Sequence, residues 1–187
     1  MIAGHPHRGA KQRRAVYPGS FDPPTIAHLA IATAALVQCG CQSLTFVLSR
    51  AALGKEGRDD SVEQRAAVLR DLVDGDRFTV EVTSSRLIVE IARGYDVVVV
   101  GADKWAQVLD PSWYADVQAR NAAVASLPHV ALVPRPPHEP PSPGGRLTVV
   151  ELADPTLAAV SSTAVRAGRS DWAAKPDRGP TAPDGHP

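Results

Sequence analysis

Two stretches of the chain combine small residues, which leave backbone groups accessible, with side chains that can donate hydrogen bonds to an anion. The first is Tyr17-Pro18-Gly19-Ser20-Phe21-Asp22-Pro23-Pro24-Thr25-Ile26-Ala27-His28, which joins a short apolar run to a segment with helical spacing. The second, Ser161-Ser162-Thr163-Ala164-Val165-Arg166, lies far downstream. A helix N-terminus offers unpaired N–H groups and the positive end of the helix dipole. Both stretches therefore predict phosphate or carboxylate binding.

The elements that position these stretches are predicted from hydrophobic periodicity. Strands are expected at 14–18, 43–48, 78–82, 96–100, 129–133 and 147–151. Helices are expected at 26–38, 86–93 and 112–126, and from the capping-box pattern at Ser61 and the stretch at Ser161. This alternation predicts right-handed βαβ units and a Rossmann-like α/β fold, an open parallel sheet with helices on both faces. Ligands bind such sheets beyond the carboxyl ends of the strands.

Composition limits the class of protein. The 20 basic side chains balance the 20 acidic ones, so no global positive field favours a nucleic acid. Cys39 and Cys41 are too few for a metal framework, and no apolar run suits a membrane span or a signal peptide. One domain is expected at 14–169, between flexible tails at 1–13 and 170–187. A cytoplasmic enzyme of undetermined oligomeric state, possible homo-oligomers included, is the expectation.

The order of four motifs resembles the nucleotidylyltransferase superfamily. They are Gly19-Ser20-Phe21-Asp22-Pro23, Thr25-Ile26-Ala27-His28, Gly101-Ala102-Asp103 and the stretch 161–166. The start of the first motif is most similar to pantetheine-phosphate adenylyltransferases. The middle of the chain is more similar to nicotinate or nicotinamide mononucleotide adenylyltransferases. Two residues depart from the mononucleotide pattern, since Thr25 stands where histidine is usual and Ala27 where glycine is usual.

The resemblance implies an attack by an acceptor phosphate on the α-phosphorus of ATP, with release of pyrophosphate. It implies catalytic roles for His28, Thr25 and Arg166, and Mg²⁺ held mainly by phosphate oxygens rather than by protein ligands. The residues expected to bind ATP are Gly19, Ser20, Phe21, His28, Gly101, Asp103, Ser161, Ser162, Thr163 and Arg166. Those expected to face the acceptor, a small nucleotide, are Lys55, Trp105, Trp113 and Arg135.

Several alternatives stay open at this level. The acceptor could be phosphopantetheine, or the donor CTP. Given Thr25 and Ala27, a nucleotide-binding protein without turnover is a further alternative. Each single residue also has a structural explanation: Ser162 and Thr163 are common helix caps, and Trp105 and Trp113 suit a core.

Overall fold

A parallel sheet of six strands runs through the part of the chain that the computed structural model describes, which is residues 12–51, 61–73, 75–136, 138, 141 and 144–176. The strand order is β3-β2-β1-β4-β5-β6. The strands are β1 (Arg14–Pro18), β2 (Ser43–Ser49), β3 (Phe78–Thr83), β4 (Val97–Gly101), β5 (His129–Val133) and β6 (Leu147–Val149). The order reverses between β1 and β4, so the carboxyl ends of these two strands flank the crevice where doubly wound sheets bind ligands.

Six α-helices connect or flank the described strands. They are α1 (Ile26–Gln38), α2 (Val62–Arg70), α3 (Ile88–Ile91), α4 (Ala102–Leu109), α5 (Val117–Ser126) and α6 (Ser162–Arg166), with 3-10 turns at Pro111–Trp113, Pro155–Ala159 and Ser170–Trp172. The capping box expected at Ser61 is present, since Ser61 Oγ accepts the Gln64 N–H at 3.1 Å and Gln64 Oε1 accepts the Ser61 N–H at 3.0 Å. These elements confirm the predicted α/β class.

The core lies on both faces of the sheet. Along β4, Val97 and Val99 join one buried cluster, whereas Val98 and Val100 join the other. Because successive strand residues point to opposite faces, a strand covered on both sides needs an unbroken apolar run. The valine run at 97–100 meets this requirement.

Two helical predictions were wrong in detail. Helix α4 was not predicted, because its residues follow Gly101 without a conventional capping side chain. The single helix expected at 112–126 is split, because Asp116 adopts an extended conformation and its carboxylate accepts the Ala119 N–H at 2.7 Å. A new helix therefore begins at Val117.

The last described residues do not behave as the flexible tail expected from 170 onward. Ser170–Trp172 form a 3-10 turn, and Trp172 packs against the core. Ala173 pairs antiparallel with Thr25, and the Ala174 N–H donates to the Pro24 carbonyl at 3.0 Å. Main-chain hydrogen bonds and the packed indole of Trp172 hold this segment in place. Its polar composition does not predict either interaction. Residues 1–11, 52–60 and 177–187, and with them Lys55, lie outside the described residues.

Candidate active site

A cleft of about 270 Å³ opens at the carboxyl ends of β1 and β4 and receives both anion-binding stretches. From the first stretch it is lined by Gly19, Ser20, Phe21 and His28, and from the second by Ser161, Ser162, Thr163 and Arg166. Gly101, Asp103 and Arg135 complete the set of predicted residues that line it. The chain thus folds so that two stretches remote in sequence face one cavity.

His28 is held in one orientation at the N-terminus of α1. The Thr25 backbone N–H donates to His28 Nδ1 at 3.0 Å, and Thr25 Oγ1 lies 2.9 Å from the same nitrogen. The Phe21 ring packs edge-to-face with the imidazole ring of His28, with the two ring centroids 5.1 Å apart. Because a backbone N–H can only donate, Nδ1 must accept, and the neutral ring carries its proton on Nε2. A cleft-lining Nε2–H is a hydrogen-bond donor suited to a phosphate oxygen.

Thr25, which was expected to be catalytic, is not among the residues that line the cleft. Its side chain is fully buried, and it reaches the site only through the contacts with His28. It is therefore a positioning residue. Ala27 is likewise fully buried in the core and lines no cleft, so its methyl group does not approach a nucleotide.

The reason for glycine at position 19 differs from the expected one. The Gly19 N–H donates to the Val47 carbonyl at 3.0 Å and so belongs to the sheet rather than to a phosphate site. A Cβ on Gly19 would lie 2.5 Å from the Phe21 ring. Because this ring is packed in the core, it cannot move aside to relieve the clash. Phe21 has a positive φ of 44°, turns back under Gly19 and is 1% exposed. Phe21 thus forms the floor of the cleft.

Side chains of α6 brace the turn that follows β1. Ser162 Oγ donates to the Pro23 carbonyl at 2.8 Å. Arg166 donates to the Asp22 carbonyl and lies 3.4 Å from the Asp22 carboxylate. Ser161 Oγ caps α6 by accepting the Ala164 N–H at 3.2 Å. Ser162 and Arg166 therefore connect the two stretches, while the Arg166 side chain keeps 45% of its surface exposed.

Arg65 also supports the first stretch. Its guanidinium donates to the Ser20 carbonyl from α2. That hydrogen bond anchors the carbonyl of Ser20, a residue that lines the cleft.

The larger cleft is predominantly cationic. Lys104, Arg135 and Arg166 line it, against the single carboxylate of Asp103. The Tyr17 phenol also lines the cleft, and its burial raises its pKa. The positive charge of Arg135 lowers this pKa and the negative charge of Asp103 raises it, both by smaller amounts. The phenol therefore stays protonated at neutral pH. An excess of cations around a neutral floor suits a polyanionic ligand.

A second, smaller cleft of about 90 Å³ lies beside the first. Its wall is largely apolar and aromatic, formed by Leu87, Ile88, Ile91, Val108, Trp113 and Tyr114. Burial raises the pKa of Tyr114, and its hydroxyl donates to the Val108 carbonyl at 2.9 Å. The two clefts share Pro18, Gly19, Ser20 and Lys104. The smaller cleft is thus mainly apolar and opens beside the cationic one.

The acceptor residues predicted from the sequence separate in the structure. Trp113 lines the smaller cleft and Arg135 the larger one. Trp105 lines neither, because its side chain packs against the second core cluster. Sequence reasoning missed Lys104 and Arg86, which line the smaller cleft. Lys104 could have been found had α4 been recognised, since it stands in the first turn of a helix that follows a central strand.

Within the described residues, no group of three or more His, Cys, Asp or Glu side chains is arranged to hold a metal ion. In the same residues, no helix has the length and apolar character that crossing a bilayer requires.

The strand order and the cleft at its switch point define a doubly wound α/β protein of the nucleotide-binding kind. The chain belongs to the cytidylyltransferase-like family, whose model matches residues 16–168, and it is thereby a nucleotidyltransferase. No curated protein sequence is similar enough to match it.

Its structure resembles two structures of nicotinic acid mononucleotide adenylyltransferase from Plasmodium falciparum. The one complexed with NaAD is 13% identical with a TM-score of 0.59, and the one complexed with APC is 14% identical with a TM-score of 0.57. Each comparison covers 83% of both chains. At this identity the similarity shows a shared fold.

Proposed function

We propose that this protein transfers the AMP group of ATP to the phosphate of nicotinate or nicotinamide mononucleotide and releases pyrophosphate. The observation that carries the proposal is the junction of two unlike clefts. The larger one is polar and cationic, as a triphosphate requires, and the smaller one is apolar with an exposed tryptophan, as a pyridine ring requires. The names of the similar solved structures agree with this acceptor class.

The proposed reaction needs positioning and charge stabilisation more than proton transfer. An acceptor phosphate is already ionised at neutral pH, so its oxygen can attack the α-phosphorus without a general base. The bond to the bridging oxygen then breaks, and its electron pair leaves with pyrophosphate. His28, through Nε2–H, and the Arg166 guanidinium would donate to phosphate oxygens as negative charge shifts during the transfer.

Mg²⁺ fits this site only as a companion of the triphosphate. Among the described residues, Asp103 is the single carboxylate that lines the larger cleft, so this part of the chain offers no cage of oxygen ligands there. Mg²⁺ commonly binds through one or two carboxylates together with substrate phosphates and water. When bound it would neutralise part of the triphosphate charge, and Asp103 is the side chain placed to orient it.

A pyrophosphate-release assay with a panel of substrates tests the proposal. ATP and CTP would each be paired with nicotinate mononucleotide, nicotinamide mononucleotide and phosphopantetheine. We expect turnover with ATP and a mononucleotide. Product with phosphopantetheine alone would instead assign the pantetheine-phosphate reaction, and turnover with CTP alone would change the donor. ATP binding measured by calorimetry, without turnover for any acceptor, would identify a nucleotide-binding protein.

A further inference from the structure

Lys104 occupies a unique place between the two clefts. Four residues line both clefts, namely Pro18, Gly19, Ser20 and Lys104, and among these four only Lys104 carries a charge. Under the proposed function, the acceptor phosphate in the smaller cleft and the α-phosphate of ATP in the larger cleft must meet at this shared boundary. Of the residues that the structure describes, the only charged side chain at this boundary is thus a cation at the point where two anionic groups have to approach.

Helix stability does not explain a lysine at this position. Lys104 is the third residue of α4, and a cation in the first turn is opposed by the helix dipole, typically by about 0.3–1 kcal/mol. Within the described residues, Lys104 Nζ donates to the amide oxygen of Gln107 at 2.9 Å rather than pairing with a carboxylate. A neutral partner orients the ammonium without cancelling its charge. The charge therefore remains available to a ligand.

We propose that Lys104 is a catalytic residue that contacts both reacting phosphates; this rests on the proposed function. Two phosphate groups brought into contact repel each other, and a cation between them offsets that repulsion. During transfer, an acceptor oxygen bonds to the α-phosphorus while the bond to the bridging oxygen breaks and its electrons leave with pyrophosphate. Lys104 keeps its proton throughout and returns unchanged.

The test compares Lys104→Met, which keeps the length of the side chain without the charge, with Lys175→Met as the matched control. Lys175 is an exposed lysine that lines neither cleft. For Lys104→Met we expect kcat to fall by roughly 10²–10³-fold, as for loss of one preorganised donor. The Lys175 variant should keep the wild-type kcat. Thermal melting would show that both variants fold.

Binding measurements separate a bridging lysine from one that serves a single substrate. The affinities for ATP and for nicotinate mononucleotide, measured separately by calorimetry, should each weaken by roughly tenfold in Lys104→Met. Turnover of Lys104→Ala should recover in part when ethylammonium is added, because the small cation can occupy the vacated position. A merely structural role would not respond to the added amine.

Three results would overturn the inference: kcat within threefold of wild type, weakening of only one of the two affinities, or no recovery with ethylammonium. Failure of the proposed function would look different. In that case the wild type itself would release no pyrophosphate with any acceptor, and the paired affinity measurements would still decide whether Lys104 contacts both ligands.

Discussion

His28 forms part of the α1 cap, and the proposed function also makes it a donor to the ligand in the cleft; one substitution separates these two roles. His28→Gln keeps a side-chain oxygen that can accept the Thr25 N–H. The chain already contains this arrangement at α2, where Gln64 accepts the Ser61 N–H at 3.0 Å. The Gln variant therefore retains the cap but loses the imidazole. His28→Ala loses both.

The contacts of His28 set the expected changes in kcat and in melting temperature. Loss of a preorganised donor costs about 10²–10³-fold in kcat, or about 2.7–4 kcal/mol of transition-state stabilisation, so both variants should fall in this range. The alanine variant also loses the cap, about 0.5–2 kcal/mol, and the edge-to-face contact with Phe21, about 0.5–1.5 kcal/mol. Its melting temperature should fall by about 2–4 °C for each kcal/mol. The Gln variant should melt closer to wild type.

Steady-state pyrophosphate release and thermal melting, measured on the same preparations, check this prediction. The informative pair of results is a low kcat with a nearly unchanged melting temperature in His28→Gln. If His28→Ala instead turns over within threefold of wild type, His28 serves only as a cap, and the donor role assigned to Nε2–H is wrong.

Three further predictions concern the scaffold. Gly19→Ala should lower the free energy of unfolding by about 1–3 kcal/mol, because its Cβ would meet the Phe21 ring. In the control Gly75→Ala, nothing lies within 4 Å of the new Cβ, so its free energy of unfolding should stay within about 0.5 kcal/mol of wild type. Urea unfolding of both variants measures the difference. Ala27→Gly should lower stability by about 0.5–1 kcal/mol and leave ATP affinity by calorimetry unchanged; tighter binding would contradict the buried position of the methyl group. Burial, and secondly the charge of Arg13, lower the pKa of His129, so the unfolded chain binds this proton more tightly. The free energy of unfolding should therefore fall as pH drops from about 7 to 5, and His129→Gln should flatten that dependence in urea unfolding; an unchanged slope would show that other groups cause it.

The sequence by itself determined the fold class and the family. The valine run of β4 predicts a strand covered on both faces, and the capping box at Ser61 predicts the start of α2. Both are local patterns, in which the residues concerned are neighbours in the chain. The order of the motifs that contain Gly19, Asp103 and Arg166 then indicated the superfamily, because motif order can be recognised in the sequence without knowledge of the packing.

Only the tertiary structure decided what the individual side chains contact. Thr25 is buried behind His28, Gly19 gives its N–H to Val47, and Trp105 enters the core, although their residue types allowed other roles. Lys104 lines both clefts, and no spacing in the sequence encodes that position. The physical reason is that a site assembled from the ends of several strands depends on long-range packing, whereas periodicity and capping record only interactions between residues close in the chain.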